Sequence, residues 1–112
     1  MKADIAKKWV EALRSGKYQQ TKEYLKTYEV ASFGNRQIAY CCLGVLVEAV
    51  LGQEIKLSER VLGSEARVAS GITSREGALT LNNSVTCLSA LNDGGKTFIE
   101  IADVIEKHWK EL

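Results

Sequence analysis

Tyr40-Cys41-Cys42-Leu43-Gly44-Val45-Leu46-Val47-Glu48-Ala49-Val50-Leu51 is the longest nearly uncharged run in the chain, and only Glu48 in it carries a formal charge. A helix that is apolar on every side belongs in the middle of a domain, with neighbours on more than one face. A continuous buried strand is the competing reading. The length of the run and the stop at Gly52 favour a helix, because helices commonly end one residue before a glycine in the left-handed conformation. The run therefore predicts a central buried helix over 41–51, with the other helices packed around it.

Both ends of the chain supply such helices. Ile5, Trp9, Ala12 and Leu13 recur at helical spacing, while Lys2, Lys7, Lys8 and Glu11 lie mostly off that face. A first helix is expected from Lys2 to Ser15, stopped by Gly16. At the other end Phe98, Ile101, Ala102, Ile105 and Trp109 form an apolar stripe. Thr97-Phe98-Ile99-Glu100 in front of it fits a capping box, in which the Thr hydroxyl and the Glu carboxylate satisfy each other's free backbone N–H groups.

The middle segments are more varied. Lys17 to Thr21 reads as a turn or ordered loop. Thr27 to Ala31 and Arg36 to Tyr40 are β-favouring and flank Gly34-Asn35, a hairpin turn signal, so a short hairpin is expected there. A helix over 21–28 competes, since Lys22, Glu23, Leu25 and Lys26 are good helix formers. Ser58 to Gly63 reads as one capped helical turn, and Ser64 to Ser70 as another short turn. Residues 71–83 are rich in Gly, Ser, Thr and Asn, where a ligand-covering loop would sit, with Ala78 to Leu81 as a short edge strand. Asn83 or Ser84 is expected to cap a helix running to Leu91, with Val85, Leu88 and Leu91 inward.

One hundred and twelve residues make a single domain, 1–112, large enough for a core without a metal or disulfide. The net charge of +1 gives no general attraction to nucleic acid or anionic membranes. No apolar run approaches the roughly 18–20 residues of a membrane span. Met1-Lys2-Ala3-Asp4 leads straight into an amphipathic helix, so no signal peptide is expected. Three cysteines, two of them adjacent, point to an intracellular chain with reduced thiols.

Several groups invite a functional reading. Cys41-Cys42 is poorly spaced for zinc, so the cysteines are expected to be buried and structural, with no metal site. A carboxylate in an otherwise apolar helix is either at the rim or paired, so Glu48 reads as a solvent-facing position near the helix end or as a carboxylate lining a pocket. Arg14-Ser15-Gly16-Lys17-Tyr18-Gln19 gathers donors and an aromatic ring at a helix exit. Arg and Lys suit phosphate and Tyr can stack on a base, but a basic helix end with a Tyr plugging the core edge is an equal reading. Asn92-Asp93-Gly94-Gly95-Lys96-Thr97 is a Gly-rich turn before a helix, a ready anion site in principle. It lacks P-loop spacing and reads more readily as a connector with a capping role.

Three motifs taken together carry a resemblance. Trp9 to Gln20 follows W-x-x-A-L-R-S-G-x-Y-x-Q, Cys41 to Leu46 is C-C-L-G-V-L, and Leu91 to Ala102 follows L-N-D-x-G-x-[ST]-F-x-x-I-A. In this order they resemble a widespread family of small phage and prophage proteins. Residues 20–38 and 53–82 lie outside the motifs. The resemblance implies a protein of the infected host's cytoplasm. Small phage accessory proteins often act against host defence, some as oligomeric sponges for nucleotide immune signals.

The sequence thus predicts an α-rich α+β domain, a central buried helix flanked by the N- and C-terminal helices with a short β-hairpin or small sheet. The expected function is anti-defence: binding an ADP-ribose-type or cyclic-nucleotide signal without catalysis or cofactor, in a homo-oligomer. Arg14 and Lys17 would meet phosphate, and Tyr18 or Trp9 would stack on the base. The turn holding Asn92 and Lys96 would donate backbone N–H groups, and Asp93 would take ribose hydroxyls. The two polar corners are expected to meet at one rim. One alternative is an inhibitor that binds a host defence protein directly. The other is a signal-cleaving enzyme, for which Glu48, Asp93 and His108 are the candidate bases, although no His/carboxylate metal constellation accompanies them.

Overall fold

The computed structural model describes residues 1–30, 34 and 36–112. Its elements in chain order are α1 (Ala3–Arg14), β1 (Gln19–Gln20), β2 (Lys26–Val30), β3 (Arg36–Tyr40), and a central helix, α2, made of Cys42–Gly44 and a π-helical continuation, Val45–Val50. Then follow α3 (Ser64–Ser70), β4 (Ala78–Leu81), β5 (Ser84–Cys87), α4 (Leu88–Asp93), α5 (Phe98–His108) and a 3-10 turn, Trp109–Glu111. The architecture is α+β.

The apolar run is the buried helix its composition demands. Cys42, Leu43, Gly44, Val45, Leu46 and Val47 are all buried, and the helix emerges toward solvent only from Glu48 onward. Its second half widens: Leu51 N–H reaches back to Leu46 O at 2.9 Å, the i to i+5 spacing of a π-helix. Gly52 then takes φ +67° and ends it. α1 packs on both α2 and α5, burying Ala6, Trp9, Val10 and Leu13. α5 carries the capping box in full: Thr97 Oγ1 accepts from Glu100 N, and Glu100 Oε1 accepts from Thr97 N.

β1, β3 and β2 form one sheet in that order, with β1 parallel and β2 antiparallel to β3. The expected hairpin is therefore present, paired from Lys26↔Tyr40 to Val30↔Arg36, and the competing helix over 21–28 is not. The Gly34-Asn35 turn itself lies partly outside the described residues. At its base Ala39 and Tyr40 are buried, but the far end is exposed on both faces, so the hairpin stands out as an arm.

Two expectations fail and a third is outgrown. Ser58 to Gly63 forms no helical turn: Ser58 sits at φ +81°, and the segment spends its backbone groups on distant partners. Glu59 O accepts from Leu25 N at 2.9 Å, and Leu62 N donates to Arg75 O at 2.8 Å. The helix expected from Val85 starts only at Leu88. Ser84–Cys87 is instead a strand paired with β4 around Asn82 and Asn83, both at positive φ, the geometry of a two-residue hairpin turn. Val85 is consequently 81% exposed rather than inward. Ser64–Ser70, expected as a short turn, is a full α-helix.

Candidate functional site

The start of the central helix is where the three sequence motifs meet. Cys41, at its N-cap position, makes no side-chain cap. The acceptor comes from another element: Asn92 Oδ1 takes the Cys42 N–H at 3.1 Å. The Cys42 carbonyl in turn accepts from Trp9 Nε1 at 2.9 Å. The backbone of one residue, Cys42, thus joins α1, α2 and α4. Asn92 is fully used, because its Oδ1 also accepts from Gln20 Nε2 at 2.9 Å and its Nδ2 donates to Thr21 O at 2.8 Å. Both Trp9 and Asn92 are 0% exposed. Neither can touch a ligand, and their expected binding roles are corrected to structural ones. A tryptophan indole and a side-chain amide are amphipathic, which is why the sequence left both uses open.

The rest of the 92–97 turn is committed in the same way. The N–H groups of Gly94, Gly95, Lys96 and Thr97 go to Ala90 O, Asn92 O, Leu91 O and Glu100 Oε1. They donate nothing outward, so the anion cradle expected there is closed and the connector reading holds. Asp93 Oδ1 accepts from Glu23 N at 2.9 Å, fixing a residue at φ +70°. Lys96 keeps an exposed side chain, loosely paired with Glu100 at 3.7 Å. A depression of about 300 Å³ between Gln20, Thr21, Lys22 and Lys96 is what remains of this corner.

Arg14 is also occupied. Its guanidinium binds Asp103 at 2.7 Å and Glu106 at 2.9 Å, and these bonds raise its pKa while holding Glu106 below the usual carboxylate range. It borders a groove of about 390 Å³ between α1 and α5, with Lys7, Val10 and Trp109. Arg14 borders one depression and the 92–97 turn another, so the two polar corners expected to share a rim open onto separate grooves.

Lys17 and Tyr18 remain available. Gly16 at φ +74° turns the chain off α1, and Ser15 Oγ, accepting from Lys17 N at 3.2 Å, fixes the exit. Tyr18 is half-buried with its ring edge-on to Tyr40, centroids 5.9 Å apart. Beside it lies a depression of about 330 Å³ lined by Lys8, Glu11, Ala12 and Lys17 from the first segment and Ala49 and Val50 from the central helix. Among the described residues neither lysine is in an ion pair. Lys8 was missed in the sequence because its partners come from 41 residues away, where the helix end carries no polar signal.

Glu48 is paired. Tyr40 Oη donates to it at 2.6 Å and Lys26 Nζ at 2.9 Å. Burial and this bond push the Tyr40 hydroxyl pKa up, and the bond to Glu48 raises that of Lys26. Cys41 and Cys42 are buried free thiols, and burial pushes Cys41 up to about 11. Cys87 is a third free thiol. His108 Nδ1 is 2.6 Å from Glu111 Oε2. Among the described residues no group of His, Cys, Asp or Glu could hold a metal ion, and no helix is long and apolar enough to cross a membrane.

A compact α+β core with cross-element polar locks and a half-open groove defines the class. The chain belongs to the family described as domain of unknown function DUF8296, whose model matches residues 1–67. The match spans α1, the three-stranded sheet and α2, and so includes Lys8, Lys17 and Tyr18. No curated protein and no solved structure matches the chain.

Proposed function

We propose that this protein is a phage-encoded anti-defence protein of the host cytoplasm that holds a nucleotide-type signal without chemically changing it. The ligand seats in the groove beside Tyr18. The observation that carries this reading is the pairing of an aromatic ring, already fixed against Tyr40, with two cations, Lys8 and Lys17, that have no carboxylate partner among the described residues. A ring held in place loses little freedom on stacking, and unpaired ammonium groups need not leave a partner to meet phosphate. Glu11, on the same wall, is the acceptor for ribose hydroxyls. The volume is at the small end of ligand pockets, which suits one nucleotide unit of such a signal. Burial disfavours the thiolate at Cys41 and Cys42, so neither is the nucleophile that the signal-cleaving alternative would need.

Calorimetric titration with ADP-ribose-type and cyclic nucleotides tests the reading. Binding is expected to weaken by roughly 10-fold in each of Lys8→Glu and Lys17→Glu, which sit on the surface. Wild-type protein giving no heat with any member at millimolar ligand would end it. The second reading, direct inhibition of a host defence protein, draws on the exposed Tyr28, Val30 and Ile38 of the arm. It predicts a stable complex in pull-down from infected cells that persists in Lys17→Glu.

A further inference from the structure

We infer that the open edge of β2 pairs with β2 of a second copy of this chain, antiparallel and centred on Tyr28, joining the two sheets into one. Among the described residues β2 lies at the edge of its sheet. The phase of its hydrogen bonds follows from two contacts at the base of the arm. Cys41 N donates to Leu25 O at 3.2 Å, which makes 25↔41 a hydrogen-bonded step of the β2–β3 ladder. Thr21 N donates to Tyr40 O at 2.8 Å, so Tyr40 turns its carbonyl to β1 and away from Lys26. Such steps alternate along an antiparallel pair. Thr27 and Glu29 therefore bond inward to β3, while Lys26, Tyr28 and Val30 aim their N–H and C=O groups at the open edge. An edge of this kind is a template for another strand.

The side chains select the occupant. In a continuous sheet built about a twofold axis at Tyr28, Tyr28 lies opposite its own copy, Lys26 opposite Val30, and Thr27 opposite Glu29. No like charges face each other directly, and the Thr27 hydroxyl can donate to the Glu29 carboxylate across the seam. Moving the axis by one residue toward Val30 would set Glu29 against its own copy. The Tyr28-centred register places two aromatic rings together at the middle, a favourable cross-strand pair. It also sets the exposed apolar side chains Tyr28 (45% exposed), Val30 (76%) and Ile38 (42%) of both copies on one common face. A shared edge this short is below the area of a permanent dimer, so association depends on concentration.

Sedimentation across a concentration series tests the inference. Wild-type protein is expected to pass from monomer to dimer. Tyr28→Pro removes an outward N–H without touching the β2–β3 ladder and is expected to stay monomeric, with its circular dichroism unchanged. Thr27→Glu places like charges across the seam, and Thr27→Lys places opposite ones. They are expected to weaken and strengthen the dimer respectively, each by roughly 2- to 30-fold. A wild-type chain that is monomeric up to about millimolar concentration overturns the inference. So does a dimer that responds alike to Thr27→Glu and Thr27→Lys, since its seam then lies elsewhere. If Tyr28→Pro fails to fold, the Thr27 pair alone decides.

Discussion

Gly44 lies directly against Leu25: a β-carbon on Gly44 would overlap the Leu25 carbonyl group. The central helix and the entry to β2 therefore pack backbone to backbone. Alanine ordinarily stabilises a helix by about 1 kcal/mol over glycine. Here the order reverses, because the obstacle is a peptide group that also accepts from Cys41 N and cannot swing aside. Gly44→Ala is expected to lose about 3 kcal/mol or more in urea denaturation. Gly63→Ala, where a β-carbon meets open space, is the control and should change stability by less than about 1 kcal/mol.

The Trp9–Cys42–Asn92 lock makes a second prediction. Asn92→Ala strands the buried Cys42 N–H and takes the Asn92 donor from the part-buried Thr21 carbonyl, while the Gln20 amide keeps Lys96 O. Each buried orphan costs roughly 1–3 kcal/mol, so a loss of about 3 kcal/mol is expected. Trp9→Phe keeps most of the packing but leaves the Cys42 carbonyl without its indole donor, at about 1–2 kcal/mol. Because both hold the backbone of the same residue, Cys42, the double variant should lose less than the sum, a coupling readable from a double-mutant cycle.

Alkaline stability follows from the Lys26–Glu48–Tyr40 cluster. The folded state raises the pKa of Lys26 above its ordinary 10.5 and that of Tyr40 above 10.0, the first mainly through the bond to Glu48, the second mainly through burial. Each group therefore holds its proton more tightly when folded. Their contribution is complete below the unfolded values and is lost as pH rises through the folded ones, so stability should fall above about pH 10. Tyr40→Phe is expected to lose about 1.5–3 kcal/mol at neutral pH, the range of a hydrogen bond to a charged group. Its alkaline decline should be shallower than that of the wild type.

Most of the helical framework was legible because periodicity and glycine stops report local physics. α1, the central helix, the hairpin strands and the capping box of α5 all declare themselves in residues close in sequence. The two failures share a cause. Asn82, Asn83 and Ser84 suit both a helix N-cap and a positive-φ turn, and only the pairing of β5 with β4 decides between them. Ser58 to Gly63 has local helix signals, but its backbone partners, Leu25 and Arg75, are remote. The site was misread for the converse reason. Trp9, Arg14, Asn92 and Asp93 have the chemistry of ligand contacts, and each is consumed by a partner far along the chain. Lys17 and Tyr18, singled out by the helix-exit motif, stay available, whereas Lys8, which also has no ion-pair partner among the described residues, carries no distinguishing pattern of its own.

The acid limb should be set by three exposed carboxylates held by distinct devices. Glu100 is lowered chiefly by the Thr97 N–H of the capping box, Glu106 by Arg14, and Glu111 by His108, with a further bond from Thr80 N. A depressed folded pKa gives stability that is present above the ordinary value of 4.5 and is lost as pH falls through the folded value. Denaturation midpoints followed downward from neutral pH should therefore begin to drop near 4.5. Arg14→Gln returns Glu106 toward its unfolded value and is expected to flatten part of that decline; Thr97→Ala does the same for Glu100 and also lowers the neutral plateau by about 1 kcal/mol. High salt separates the two. The Arg14 pairs are exposed ion pairs and should be largely screened, whereas the capping box is a neutral N–H donating to a carboxylate at the same helix end and should hold. If Arg14→Gln leaves the acid slope unchanged at low salt, the Arg14–Glu106 contact contributes nothing to folding and α1 is held to α5 by its buried face alone.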